Sequence, residues 1–465
     1  MNTDRREFIK KIGLSTAAVA VGTSVLNMAQ NKPKLKSKTI STDAMHYNRI
    51  IGANDRVLVG VIGFSDRFKS TLSTAFQANA KNLNMEFSAL SDIWNERREN
   101  GVAFINKMQG TPIVGYRNNE ELYEKSKVDA VIISTADFQH AYHATEAVRS
   151  GRDAYVEKPL AESMEDNKMI LKAVKETQRI VQIGSQRRSG PNYWTAYDYI
   201  KSGKFGAIKF AEMSWNVNQP DRWRRPELVA KLKESDVDWK RYLINREQVK
   251  FDPRLYLEYR LFWPYSSGIP GQWMCHQIDT VHWFTGFKHP LSVIASGGIY
   301  MWNDGRKNAD TLTAILEYGP ENDKDSTKRF QVNYTSRFSN SAGGTKEIYY
   351  SNGGELNLDT NKVTPNGGLE KGHAEIMGLK ENFLPEFSLA DKSVKTVTDA
   401  NQGTDAMTTA HMKNWMECIR SRNEPNAPVE AGYNHSVASL MVTESLFRGR
   451  KVVFDEKKQE IVNGY

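Results

Sequence analysis

The sequence predicts an α/β protein in two parts, a doubly wound parallel sheet over residues 56–184 and then an α/β region with a mostly antiparallel sheet over residues 185–465. Two observations carry that prediction. From Val57 to Ile183, short apolar runs alternate with helical stretches, the pattern of parallel strands buried on both faces and joined by crossover helices. Beyond Gln186 the texture changes to runs rich in aromatic and β-branched residues, joined by turn-rich loops. At 465 residues, 39% of them hydrophobic, the chain is long enough for two sizeable cores.

In chain order, Arg5-Arg6 stands before an apolar stretch from Ile12 to Leu26, a basic region followed by a short hydrophobic one. That pattern is an export signal, and the adjacent arginines followed by Phe8 and Lys10 resemble a bacterial twin-arginine signal over residues 1–30. Residues 31–55 are polar without a period and read as a linker or arm. Val57–Ile62 is the first strand, followed by a helix to about Asn79, a strand at Met85–Leu90 and a helix from Asn95 to Met108. Then come a strand at Ala130–Thr135, a helix from His140 to Ser150 closed by Gly151, and a strand at Ala154–Val156. Ser163 caps a helix with Asp166 three residues on, and Ile180–Ile183 closes the series. The second part reads as strands at Ile208–Val217, Leu291–Trp302, Thr311–Tyr318, Phe330–Phe338, Ile348–Leu358 and Lys451–Asp455, with helices at Asp405–Arg420 and Asn434–Phe447.

Composition excludes several classes. The net charge of +8 is spread among interspersed acids, with no basic arm and no zinc-finger or helix-turn-helix signature, so nucleic acid is not a partner. Two distant cysteines, Cys275 and Cys418, make neither a disulfide scaffold nor a thiolate zinc cluster, and no metal is expected. Beyond the export signal, hydropathy offers no membrane span, so contact with a membrane is expected only through that signal if it stays uncleaved.

The turn after the first strand reads Gly63-Phe64-Ser65-Asp66-Arg67-Phe68. A dinucleotide-binding turn wants glycine at the first, third and sixth of these positions, and only Gly63 fits. Backbone amides at a helix N-terminus hold a pyrophosphate, and serine supplies those as glycine does. Ser65, Asp66 and Arg67 are therefore candidate cofactor contacts, whereas Phe68 is expected to widen the helix–strand contact. Asp92, about 29 residues past Gly63, ends the second strand where it can accept from ribose hydroxyls or cap the next helix. An acid there favours NAD; NADP is not excluded, because Arg97 and Arg98 are close by.

Lys158 stands between Glu157 and Pro159 at the carboxyl end of a parallel strand, where doubly wound folds keep their ligands. Partial burial there lowers a lysine pKa toward use in proton transfer. Val156-Glu157-Lys158-Pro159-Leu160 after a β-α-β unit resembles the signature of the Gfo/Idh/MocA oxidoreductases. Ser134 to His140, Ile183 to Arg188, Gly271 to Asp279 and Asn414 to Val429 are similar to further segments of that family. The resemblance implies a Rossmann domain followed by an α/β domain with a large, open antiparallel sheet. It also implies bound NAD(P) and oxidation or reduction of a hydroxyl carbon on a sugar or cyclitol, in a homo-oligomer. Carried over by position, Lys158 bonds the reacting hydroxyl and the nicotinamide ribose, and His276 takes the hydroxyl proton. Thr135, His140, Glu157 and Gln186 join the cofactor contacts, and Arg188, Gln272 and Asp279 the substrate contacts. His276 equally fits a buried core histidine, and Asp279 either orients it or bonds the backbone. Gln272 departs from the aspartate common in the family, which puts ordinary turnover in question.

Trp215, Trp223, Arg222, Trp263 and Tyr265 are candidates for a sugar-binding wall, or for core. The expectation is thus a periplasmic sugar oxidoreductase with a tightly held cofactor. Two alternatives stand beside it: a glycosidase that oxidises transiently, eliminates and reduces back, and a non-catalytic sugar-binding relative. Glycosidases of that kind tend to lack the lysine that is present here at 158.

Overall fold

Parallel strands flanked by short loops form wherever the chain offers uninterrupted apolar runs, and the first of them, Val57–Ile62 (β1), is almost wholly buried. The computed structural model describes residues 55–389 and 405–464; the expected export signal and all but the last residue of the linker lie outside the described residues. With Met85–Ser91 (β2), Val114–Tyr116 (β3), Ala130–Ile133 (β4), Asp153–Val156 (β5) and Val181–Ile183 (β6), β1 builds an all-parallel sheet in the order β3-β2-β1-β4-β5-β6. The order reverses between β1 and β4, and that switch point is where such sheets bind ligands. β3 escapes sequence reading because it is three residues long, half exposed and at the sheet edge.

Phe68 stands between the first helix and the sheet, where the sequence suggested. Its ring is fully buried beneath the first helix, 5.6 Å from the ring of Phe87. The helix accommodates it with a π turn over Phe68–Leu72, which widens the backbone where a glycine would have permitted close contact.

The second sheet has ten strands. In chain order they are Phe210–Asn216 (β7), Ser292–Gly298 (β8), Thr311–Tyr318 (β9), Phe330–Arg337 (β10) and Thr345–Ser351 (β11). Gly354–Asn357 (β12), Lys362–Thr364 (β13), Phe387–Ser388 (β14), Val452–Asp455 (β15) and Glu460–Asn463 (β16) complete the set. The order is β14-β13-β12-β11-β7-β10-β9-β8-β15-β16, antiparallel throughout except for the β7–β10 pair. β9 and β10 alternate buried and exposed residues, as a sheet with one covered face requires.

Two strand expectations are corrected. Ile348–Leu358 is not one strand, because Asn352-Gly353 makes a tight turn and folds it into the β11–β12 hairpin. The run expected to reach Trp302 leaves the sheet after Gly298: the Asp310 carboxylate accepts from the backbone amides of Tyr300, Met301 and Trp302 at 3.0, 2.9 and 2.8 Å, curling the chain into a loop.

The helix Ala406–Ser421, capped by Asp405 on Thr408 N, packs Met412, Trp415 and Met416 into the core of the parallel sheet, although it comes late in the sequence. The 20-residue helix Val429–Arg448 lies against the helix Cys275–Thr285. Gly432 lets it approach the first domain, since a β-carbon there would sit 2.7 Å from Leu160 Cδ2.

Candidate active site

The carboxyl ends of β1, β4 and β5 open onto a cleft of about 420 Å³ whose far wall comes from β7 and the segment leading into the helix Cys275–Thr285. At one end the walls are mostly backbone. Gly63 has φ +84°, donates to Ser91 O at 2.9 Å, and leaves no room for a β-carbon, which would sit 2.8 Å from Thr135 Cγ2. Only glycine meets both conditions without strain. Ser65 caps the first turn, its Oγ accepting from Phe68 N at 3.2 Å and lying 3.0 Å from Ser134 Oγ. The cradle therefore fits a dinucleotide despite the missing glycines.

Asp92 sits at the end of β2 with both oxygens engaged, Oδ2 accepting from Phe64 N at 2.8 Å and Oδ1 from Trp94 N at 2.9 Å. It is not the N-cap of the helix Asn95–Gln109, whose cap residue is Trp94. It ties the loop after β1 to the loop after β2, and its burial pushes its pKa up against the pull of Arg97 and the two amides. Asp66 stands exposed at the mouth, 3.5 Å from Arg225 and 3.8 Å from Arg97. Arg67 and Glu157 are each other's partners, Nε to Oε1 at 3.1 Å, with Gln186 Nε2 3.4 Å from the same carboxylate oxygen.

The His140 ring lies between two carbonyls, Nδ1 2.8 Å from Pro159 O and Nε2 3.2 Å from Thr135 O, and burial lowers its pKa. It pins the loop after β4 to the Lys158–Pro159 turn. Thr135 Oγ1 is buried at the cleft wall without a partner among the described residues.

At the other end the walls are side chains. Lys158 Nζ donates to Gln272 O at 2.6 Å, and burial lowers its pKa. One turn further along, His276 is 9% exposed, and its Nε2 has no partner among the described residues. Burial first, then the nearby positive charges of Lys158 and Arg187, push its pKa well below the ordinary histidine value, so it stands as a neutral imidazole. The Trp215 ring lies 5.9 Å from it and stacks on Trp273 at 5.8 Å. Arg222 covers the Trp273 face at 5.6 Å. Gln272 is held at both ends of its amide, Oε1 accepting from Arg260 Nε at 2.8 Å and Nε2 donating to Asp137 Oδ2.

Four expected substrate contacts are corrected. Arg188 and Asp279 form a buried two-pronged pair, at 2.8 and 2.9 Å, outside the cleft. Asp279 also faces His435 Nδ1 at 4.0 Å, and among the described residues no hydrogen bond joins it to His276. Trp263 packs on Phe447 at 5.7 Å and Tyr265 on Phe138 at 5.2 Å, both away from the cleft lining. Sequence reading overlooked Asp137, Arg187, Arg260 and Trp273, all on the wall. Asp137, Arg187 and Trp273 lay inside segments already singled out, whereas nothing near Arg260 in the sequence marked it. Elsewhere, His289, Glu321 and Glu456 converge at the second sheet, His289 Nε2 2.9 Å from Glu321.

A glycosyl hydrolase family 109 protein of Shewanella pealeana is 25% identical over 236 residues, 50% of this chain and 49% of the relative. Inositol 2-dehydrogenase 2 of Saccharopolyspora erythraea is 31% identical over 130 residues, 28% of this chain and 38% of the relative. The chain thus spans about half or less of the length of these curated relatives. The WlbA dehydrogenase of Bordetella pertussis, solved with NADH and UDP-GlcNAcA, superposes with a TM-score of 0.58 at 15% identity, over 86% of this chain and 98% of that one. Myo-inositol 2-dehydrogenase of Lactobacillus plantarum superposes at 0.59 with 14% identity, over 86% and 100%. These two show the shared two-sheet fold. Residues 57–185 match the Gfo/Idh/MocA oxidoreductase family with NAD-binding Rossmann fold. With its 3-2-1-4-5-6 sheet and Gly63 turn, this part of the chain has the NAD-binding Rossmann fold that the family model describes.

Proposed function

We propose that the protein is an NAD(P)-dependent oxidoreductase acting on a hydroxyl carbon of a sugar or sugar derivative. The observation that carries this reading is the pairing of a neutral, unpartnered His276 Nε2 with the Lys158 ammonium in one cleft, at the carboxyl end of the nucleotide-binding sheet. A dinucleotide held by its pyrophosphate at the Gly63 turn would supply the two-electron acceptor, its nicotinamide ring. The Ser65 turn, Arg67 and Glu157 would hold the dinucleotide. His276 accepts the proton of the substrate hydroxyl, and Lys158, fixed on Gln272 O, stabilises the negative charge that develops on that oxygen. Trp215, Trp273 and Arg222 offer the sugar a flat face and hydrogen-bond donors.

A second reading, glycoside cleavage through transient oxidation, elimination and reduction, is favoured by the similarity to the Shewanella glycosyl hydrolases. One experiment separates the two. Denatured protein is examined for released NAD(H), and folded protein is then offered sugars and glycosides. A net change in nicotinamide absorbance supports the dehydrogenase, cleavage without net change supports the hydrolytic cycle, and absence of both overturns the enzymatic reading.

The working compartment in this proposal is the periplasm, reached by the twin-arginine route with the cofactor already loaded and held between turnovers. Arg5-Arg6 supports it. Replacing both with lysine should leave the protein in the cytoplasm on fractionation. A homo-oligomer formed through the open sheet belongs to the same proposal, supported by exposed Ile294 and Ile315 on β8 and β9, and sedimentation measures it.

A further inference from the structure

We infer that the substrate carries an anionic substituent, a carboxylate or phosphate ester, and that Arg260 is the residue that reads it. This rests on the proposed sugar oxidoreductase reading and narrows its substrate class.

Most guanidinium groups on the cleft wall already face a carboxylate: Arg67 faces Glu157, Arg187 faces Glu347, Arg241 faces Glu146 and Arg225 faces Asp66. Arg260 differs. Among the described residues it makes no ion pair, and its hydrogen bond runs from Nε to the neutral amide oxygen of Gln272 at 2.8 Å. The Tyr259 ring supports the guanidinium at 4.6 Å. Both contacts fix orientation without neutralising charge, and the two terminal nitrogens carry no hydrogen bond to the described protein although the residue lines the cleft.

A second cation stands close by. Lys158 donates to the backbone oxygen of the same Gln272 and is near enough for Arg260 to repel it. Asp137 and Asp66 both attract the Arg260 guanidinium; Asp137 is 1% exposed and turned toward the Gln272 amide nitrogen and the Ser266 hydroxyl, which donates to it at 2.6 Å. Two cations thus flank a neutral amide in a partly enclosed space. Asp137 attracts both cations through space but makes an ion pair with neither among the described residues, and a preoriented guanidinium fork with unbonded terminal nitrogens matches a carboxylate or phosphate two-pronged. Gln272 is the positioning residue in this arrangement, clamped by Asp137 on one side and aiming Arg260 on the other.

The test measures binding alone, by calorimetry, on the full-length protein with and without NADH. The probes are glucuronate, galacturonate and glucose 6-phosphate, compared with glucose and galactose. At least one anionic probe should bind about tenfold or more tightly than its neutral counterpart, in a salt-dependent manner. Which probe wins distinguishes carboxylate from phosphate. Arg260→Gln should abolish the preference with NADH affinity unchanged, and Arg260→Lys should restore part of it. Neutral hexoses binding as tightly in the wild type, a result that depends on no variant folding, would overturn the inference, as would a preference that survives Arg260→Gln. An anion preference found without any NADH binding upholds the anion site and sinks the oxidoreductase reading instead.

Discussion

The two ends of the cleft are built by different means. The nucleotide end is made mostly of backbone: a left-handed glycine and two loops whose amides at Phe64 and Trp94 are clamped by the Asp92 carboxylate. The chemical end is made of side chains drawn from positions more than a hundred residues apart, such as Lys158 on Gln272 and Asp137 against Gln272. A backbone site tolerates substitutions that keep its φ and its donors, which is why Ser65 and Phe68 can stand where glycines are usual. A side-chain site has no such latitude, because each atom depends on a partner from another element.

That contrast can be broken most directly at His276. His276→Ala should lower kcat by about 10²–10⁴-fold while the dissociation constant for NADH stays unchanged, read by stopped turnover and by nucleotide fluorescence. A matching loss of NADH binding would mean that the two ends are not separable. Phe68 sharpens the comparison from the other side. Because its ring is core, Phe68→Ala should cost about 3–5 kcal/mol of stability in urea unfolding and leave NADH affinity intact, whereas tighter nucleotide binding would show that the ring had been narrowing the cradle.

The smallest expected effect concerns Glu162, buried beside Ser267 and pushed up to about 8 by desolvation and by Asp137. Its folded pKa lies above the unfolded value of about 4.3, so the folded state holds the extra proton. The stability this contributes is complete below pH 4.3 and is lost as pH rises toward 8. Glu162→Gln should remove about 1 kcal/mol of the decline between pH 7 and 8, measured by urea midpoints at both values. An unchanged slope would refute the assignment.

Legibility followed the same division. β1, β4, β5 and β9 were readable because apolar runs and strict alternation report burial on two faces or on one. Lys158 and His276 were found because each sits in a recognisable segment, and the fold brings both to one cleft. The aromatic residues were not legible: Trp215 lines the cleft, whereas Trp263 and Tyr265 pack elsewhere, and nothing local to those side chains tells the two cases apart. Arg188 looked like a ligand contact until its two-pronged pairing with Asp279, ninety-one residues away, appeared.

The sequence by itself determined the alternation of elements, the parallel sheet, the glycine turn and the lysine at a strand end, all features that short-range sterics and hydrophobic period impose on neighbouring residues. Only the tertiary structure decided which charges are neutralised. It placed Asp279 opposite Arg188 and an amide opposite Arg260, because pairing between side chains is set by where the chain returns in space.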